Sequence, residues 1–217
     1  MNGYSDRINH ALAFAAKHHD QQVRKGTRPP YVTRAANVAI ILTRYGCAED
    51  TVIAGILHDT IEDSVLAGWT RAMLDERIAE KFGRAALDAA YAVVRRRTGP
   101  DGAELARDER NAELLTRVAE ANDASRWVLA ANHVHSGNSL LADLRRTVDV
   151  ASVWGRFSGG RDAFVNWHRS VADALARSGF DGAIMTELRT TVQQLEAAAV
   201  DGTPVDPGPR VNEGGSG

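Results

Sequence analysis

Apolar residues recur at helical spacing along most of this chain. Ile8, Leu12 and Ala15 lie three or four positions apart, which predicts an amphipathic helix over about 5–23. Similar patterns, one of them ended by Gly46, predict eight further helices. These cover about 33–45, 49–62, 70–82, 85–96, 104–120, 124–150, 162–177 and 182–199. No stretch follows the two-residue period of a strand, so the predicted fold class is all-α.

The composition predicts one globular domain. The 217 residues include 44 % apolar and 25 % charged residues, which are ordinary values for a chain with its own core. We place this domain at residues 1–200. Residues 201–217 are rich in proline and glycine and have little to bury, which predicts a disordered tail.

Charge and cysteine content exclude several classes of protein. The formal net charge of −2 gives no reason to expect a nucleic-acid or membrane partner. Cys47 is the only cysteine, so neither an intramolecular disulfide nor a cysteine zinc cluster can form. There is no signal-peptide pattern and no apolar run near the roughly 20 residues that span a bilayer. A cytoplasmic protein is therefore expected, with its oligomeric state left open.

The segment "HDTIED" carries the candidate chemistry. It follows the apolar run 52–57 and brings His58, Asp59, Glu62 and Asp63 to the end of one predicted helix. Residues four apart share a helical face, so His58 lies over Glu62 and Asp59 lies over Asp63. Four ionisable groups at the end of a buried helix indicate either a metal site or acid–base chemistry, and solvated acids at a helix end are the simpler alternative.

Several motifs in order give this chain a family resemblance. The segments "AFAAKHHDQQVRKG", "PPYVTRAANVAIIL", "AGILHDTIEDS" and "LAANHVHSGNSLLADL" resemble the HD-domain superfamily, within it the SpoT/MESH1-like (p)ppGpp hydrolases. The resemblance implies a single-domain HD-type helical bundle with a central pocket. It implies a manganese ion held by a histidine after Pro-Tyr, by the His-Asp pair and by a later aspartate. The metal would activate a water that attacks the 3′-pyrophosphate, and the following Glu-Asp would position that water.

This chain departs from the implied ligand set at two positions. His58 and Asp59 match the metal pair, but Arg34 stands at the first histidine and Asn132 at the last aspartate. A guanidinium keeps its proton and cannot ligate a metal. Ser136 also replaces a substrate-contacting asparagine. We therefore expect no metal cofactor, with His58 and Asp59 as remnants of the family site and Arg34 paired with Asp59.

The remaining candidates are residues that would contact a ligand. Carried over from the family or placed near the lost ligands, they are Arg24, Lys25, Tyr31, Arg34, Asn132, His135 and Ser136. The basic run 95–97 is read as a solvated face, with contact to an anionic ligand as the alternative.

The lost ligands have three explanations, which are repurposing, decay and deliberate inactivation, and the family function itself remains a further alternative. The preferred one is a repurposed, metal-independent enzyme that performs acid–base chemistry on a small organic substrate, with Glu62 as the main proton carrier and His58, Asp59 and Asp63 assisting. A non-catalytic protein that binds a nucleotide or a protein partner is the alternative, and a manganese-dependent (p)ppGpp hydrolase is the second alternative. Deliberate inactivation ranks lowest, because engineered knock-outs usually introduce alanine.

Overall fold

The computed structural model describes residues 4–24, 28–63, 70–99 and 102–198. Within these residues the chain forms ten α-helices and two isolated β-bridges. The helices are α1 (Asp6–His18), α2 (Val32–Arg44), α3 (Glu49–Asp63), α4 (Arg71–Phe82), α5 (Arg84–Tyr91), α6 (Arg107–Glu120), α7 (Asp123–Arg146), α8 (Val150–Trp154), α9 (Gly160–Arg177) and α10 (Ile184–Ala197). The predicted all-α, single-domain HD-type bundle is confirmed. The predicted tail, 201–217, lies outside the described residues.

Helix α3 lies at the centre of the bundle. Every residue from Thr51 to Ile61 is buried, and α1, α2, α5 and α7 all pack against this helix. A helix that is apolar all round is expected to be buried in this way. Gly55 allows the approach of α2, since a Cβ at this position would lie 2.4 Å from the Leu42 side chain. The His-Asp pair at the end of α3 is therefore carried into the protein interior.

Two helices end earlier than the sequence predicts. The first predicted helix ends at His18, because His19 leaves the helix to contact Gln22 and Thr60 with its two ring nitrogens. Helix α5 ends at Tyr91, not near Arg96. The backbone there is held by Arg117, which donates to the carbonyl oxygens of Tyr91 at 2.6 Å and Val94 at 2.8 Å.

The predicted helix 124–150 is two helices. Thr147 is extended, and the fully exposed Val148 separates α7 from α8. Asp149 begins α8, since its Oδ1 accepts from the Ser152 backbone N–H at 3.0 Å. Helix α8, the end of α7 and helices α9 and α10 share a smaller second apolar cluster. Phe157 packs against that cluster, and together with Arg156 and Glu62 it lines one cavity.

None of the described helices combines the length and the apolar character that crossing a membrane requires.

Candidate functional site

The site begins with His58 and Asp59 on α3, which are 1 % and 3 % exposed. His58 Nδ1 lies 2.7 Å from the carbonyl oxygen of Gly55. A carbonyl only accepts, so Nδ1 carries the proton of that hydrogen bond. The other nitrogen, Nε2, faces Asp59 Oδ1 at 3.3 Å and has no hydrogen-bond partner among the described residues. The predicted pair therefore lies together in the interior.

Arg34 holds the Asp59 carboxylate from α2. Its Nε lies 2.9 Å from Asp59 Oδ2, and its Nη2 donates to Asn132 Oδ1 at 2.7 Å. Burial, the largest single influence, raises the pKa of Asp59, but the charge of Arg34 together with the neighbouring His58, His19 and Arg95 leaves the pKa below its ordinary value. The structure thus brings Arg34, Asn132 and Asp59 together, with Arg34 in polar contact with both of the others.

Arg24 approaches the same region from the loop after α1. Its Nη1 lies 3.2 Å from Ser139 Oγ and 3.4 Å from His135 Nε2 on α7. Burial, and then the charge of Arg34, lower the pKa of Arg24. Burial and Arg24 lower the pKa of His135 to about 4, so His135 is neutral at neutral pH and accepts from Arg24. Lys25 lies outside the described residues.

Arg24, Arg34 and Ser139 line a first cavity of about 330 Å³. Its polar lining comprises Arg24, Tyr31, Arg34, Ser136, Ser139, Asp143 and Arg156. One face of the Tyr31 ring packs against His19, with 4.6 Å between ring centroids. The volume falls at the small end of the range for small-molecule sites.

Glu62 lies away from the first cavity. Its Oε1 accepts from Arg95 Nη2 at 2.7 Å and from Arg95 Nε at 3.0 Å, and its Oε2 accepts from the Arg95 backbone N–H at 3.2 Å. It lines a second cavity of about 430 Å³, which adjoins the first at Arg156 and Phe157. The shared helical face of His58 and Glu62 does not bring both into one cavity. Nothing is described of the Asp63 side chain.

Sequence reasoning missed most residues of the second cavity and several of the first. Ser139 and Asp143 follow Asn132 and Ser136 along one face of α7 at spacings of three and four, so helical periodicity would have found them. Arg156 and Phe157 come from the turn after α8, and no local pattern connects them to α3.

Two further buried histidines, His133 and His168, pack against each other near this site. Their ring centroids are 4.7 Å apart, and His168 Nδ1 donates to the carbonyl oxygen of Phe164 at 2.9 Å. Burial lowers the pKa of His168 to about 4, and burial followed by the charge of His168 lowers the pKa of His133 well below its ordinary value. Among the described residues, no group of three or more histidine, cysteine or acidic side chains could hold a metal ion.

Comparison with known proteins identifies the family. The model of the HD domain family matches residues 11–146, so the chain belongs to the HD domain family. A guanosine-3′,5′-bis(diphosphate) 3′-pyrophosphohydrolase from Aquifex aeolicus is 40 % identical over 58 residues. That match covers 27 % of this chain, which spans only 8 % of the length of the curated relative.

Two solved structures share the fold. A metazoan orthologue of SpoT, described as hydrolysing ppGpp, has a TM-score of 0.68 at 23 % identity and covers 88 % of this chain and 96 % of its own. The protein lmo0812 from Listeria monocytogenes EGD-e has a TM-score of 0.60 at 24 % identity and covers 75 % of this chain and 97 % of its own. At these identities the likeness shows the fold alone.

These relationships correct three predictions. A metal-independent enzyme acting on an unrelated organic substrate is wrong as the preferred function, because the curated relative and the metazoan SpoT orthologue are both named for the hydrolysis of ppGpp. The expectation that no cofactor is needed is contradicted as well, because the hydrolases of this group depend on a metal. The error came from treating two replaced ligands as sufficient to change the reaction class.

Proposed function

We propose that the protein acts on a guanosine nucleotide that carries a 3′-diphosphate, as a (p)ppGpp pyrophosphohydrolase. The observation that carries this proposal is the convergence of Arg24 and Arg34 on the first cavity. The names of the curated relative and of the metazoan SpoT orthologue support the substrate class.

Two neighbouring guanidinium groups favour a multiply charged anion. The positive charge of Arg34 lowers the pKa of Arg24, which means that each cation destabilises the other. A diphosphate between them would relieve this repulsion and accept paired hydrogen bonds from both planar groups. Tyr31 presents an aromatic ring to the same cavity and is assigned to contact the base or ribose, with Lys25, Asn132, His135 and Ser136 as further contacts.

Hydrolysis is assigned to the acids at the end of α3. His58, Asp59, Glu62 and Asp63 occupy the positions that resemble the catalytic motif of the hydrolase group. The residues present do not fit the manganese site that the resemblance implies, because the Arg34 cation contacts the Asp59 carboxylate and Asn132 supplies an amide oxygen. No step of the reaction is therefore assigned to a metal, and the turnover assay with and without Mn²⁺ tests whether one is required.

The test is nucleotide turnover. Purified protein is incubated with ppGpp, with and without added Mn²⁺, and the release of pyrophosphate is quantified by ion-exchange chromatography. We expect GDP and pyrophosphate in equal amounts. Absence of product under both conditions, together with no measurable binding of ppGpp, would refute the proposed function.

Arg24→Gln tests the observation directly. Loss of a charged hydrogen-bonding partner costs about 1.5–3 kcal/mol, so ppGpp should bind roughly 10–100-fold more weakly. The matched control is Arg77→Gln, which removes the same charge from α4, where Arg77 pairs with Glu80 outside both cavities. Equal affinities of the two variants would contradict the assignment of Arg24.

The ion pair between Arg34 and Asp59 favours a second candidate function, binding of the nucleotide without hydrolysis. An aspartate held by a buried cation is less available to any other partner. Tight binding of ppGpp with no release of pyrophosphate in the same experiments would select this candidate.

A further inference from the structure

The second cavity is strongly cationic. Arg95, Arg97, Arg107, Arg110 and Arg156 line it, against two acids, Glu62 and Glu104. The run 95–97 is an exposed stretch, and such stretches are usually solvated. Here the arginines come from three segments that are distant in sequence, the chain after α5, helix α6 and the turn after α8, and they converge on one concave surface.

Two of these arginines, Arg107 and Arg110, have no acidic partner among the described residues. Arg95 pairs with Glu62, and Arg156 pairs with Asp143 at 2.6 Å. Arg107 donates to the neutral carbonyl oxygen of Ser158 and keeps its charge. No hydrogen bond or ion pair of the Arg110 guanidinium is found among the described residues. Arginines that line a concavity without acidic partners create a positive potential that concentrates anions.

The shape of the cavity favours a diphosphate over a single small anion. Its volume of about 430 Å³ exceeds that of the first cavity, and Arg107 and Arg110 lie one helical turn apart on α6. Planar guanidinium groups bind phosphate oxygens in pairs, and several of them can engage the two phosphorus centres of a diphosphate at once.

We propose that the second cavity is a diphosphate-binding site, separate from the first cavity, and that its ligand competes with Glu62 for Arg95. The ligand is either free pyrophosphate or the second diphosphate of a nucleotide whose first diphosphate lies in the first cavity. Both sources present the same chemistry to the five arginines. Arg156 and Phe157 line both cavities, so one nucleotide could reach from the first cavity into the second, or pyrophosphate could bind the second cavity alone.

Competition for Arg95 links this site to the end of α3. Arg95 donates three hydrogen bonds to Glu62, at 2.7, 3.0 and 3.2 Å. An anion that binds the Arg95 side chain in place of Glu62 leaves the Glu62 carboxylate with one hydrogen-bond donor from Arg95, its backbone N–H. Binding in the second cavity therefore frees one of the acids assigned to hydrolysis, and Glu62 in turn opposes binding of the anion.

The test is a calorimetric titration of the full chain with sodium pyrophosphate, without nucleotide. We expect binding of pyrophosphate that Arg107→Gln and Arg110→Gln each weaken at least fivefold relative to wild type. Arg77→Gln is the control for the loss of one positive charge. Circular dichroism verifies the fold of each variant, and Arg110→Lys, which keeps the charge, should retain part of the affinity.

Glu62→Gln gives a second, opposite readout. Removing the competing negative charge should tighten pyrophosphate binding by about threefold, the factor expected for one unit charge some 6 Å away in a solvent-like dielectric. Titrations of Arg107→Gln and Arg110→Gln that match wild type would overturn the site. Weaker binding by Glu62→Gln would overturn the competition.

The source of the diphosphate is distinguished by adding ppGpp. If ppGpp displaces pyrophosphate, the nucleotide supplies the second diphosphate, and if both bind together, free pyrophosphate is the ligand. These titrations require no turnover, so a failure of the site is distinguishable from a failure of the proposed hydrolysis.

Discussion

At the scale of single residues, Arg34 decides the character of the site. It lies in contact with both Asp59 and Asn132, at distances of 2.9 and 2.7 Å. The family resemblance predicts the contact with Asp59, because Arg34 and Asp59 both stand at positions that match ligands of the implied metal site, and a cation there would pair with the carboxylate. The contact with Asn132 depends on the packing of α2 against α7 and could only be seen in the folded chain.

Replacement of Arg34 and Asn132 should strengthen metal binding. The variant Arg34→His/Asn132→Asp removes a positive charge and supplies a ring nitrogen and a carboxylate beside His58 and Asp59. We expect the affinity for Mn²⁺, measured by calorimetry, to rise at least tenfold over wild type.

A charge-matched comparison separates ligation from charge. Arg34→Gln/Asn132→Asp also removes the cation but leaves one nitrogen ligand fewer, so its gain in Mn²⁺ affinity should be smaller. Equal affinities of wild type and the histidine variant would show that these positions do not limit metal binding.

At the scale of helices, small residues set how closely neighbours approach. Gly137 on α7 faces α10, and a Cβ there would lie 2.4 Å from Thr191 Cγ2. The Thr191 side chain has little freedom to move, because it is β-branched, buried and donates its hydroxyl hydrogen to the Glu187 carbonyl oxygen at 2.9 Å.

Gly137→Ala should therefore destabilise the protein. Alanine gains about 1 kcal/mol of helix propensity, but overpacking a buried contact costs about 1–3 kcal/mol, so a net loss of about 1 kcal/mol is expected in urea unfolding. Gly137→Ala/Thr191→Ser removes the obstructing methyl group and keeps the hydroxyl, and should recover the loss. A Gly137→Ala protein as stable as wild type would mean that α7 and α10 separate without cost.

At the scale of the whole molecule, buried neutral histidines make stability depend on pH. The folded protein holds the pKa of His168 at about 4, below its usual value near 6.5, because the ring is buried. Between pH 6.5 and about pH 4, His168 therefore carries a proton in the unfolded chain but not in the folded chain. Stability is complete above pH 6.5 and falls as the pH decreases from 6.5 towards 4.

The measurable consequence is the free energy of unfolding at two pH values. Between pH 7 and pH 4.5, His168 contributes a decrease of about 2.5 kcal/mol. His168→Gln, which keeps a donor for the Phe164 carbonyl oxygen, should make this decrease smaller by a similar amount. The control is His10→Gln, at a position exposed on α1. The same pH dependence in wild type and His168→Gln would contradict the role of this residue.

The sequence by itself determined the helices, the all-α class and the residues of the motif, because helical periodicity, capping residues and short motifs are local properties. The end of α2 is one example, because Gly46, with a positive φ of 71°, follows the helix as the sequence predicts. Only the tertiary structure decided which cavity each side chain faces. Glu62 lies one turn beyond His58, yet it lines the second cavity because Arg95, 33 positions away along the chain, binds its carboxylate. Contacts between distant segments depend on how helices pack, and no local pattern specifies them.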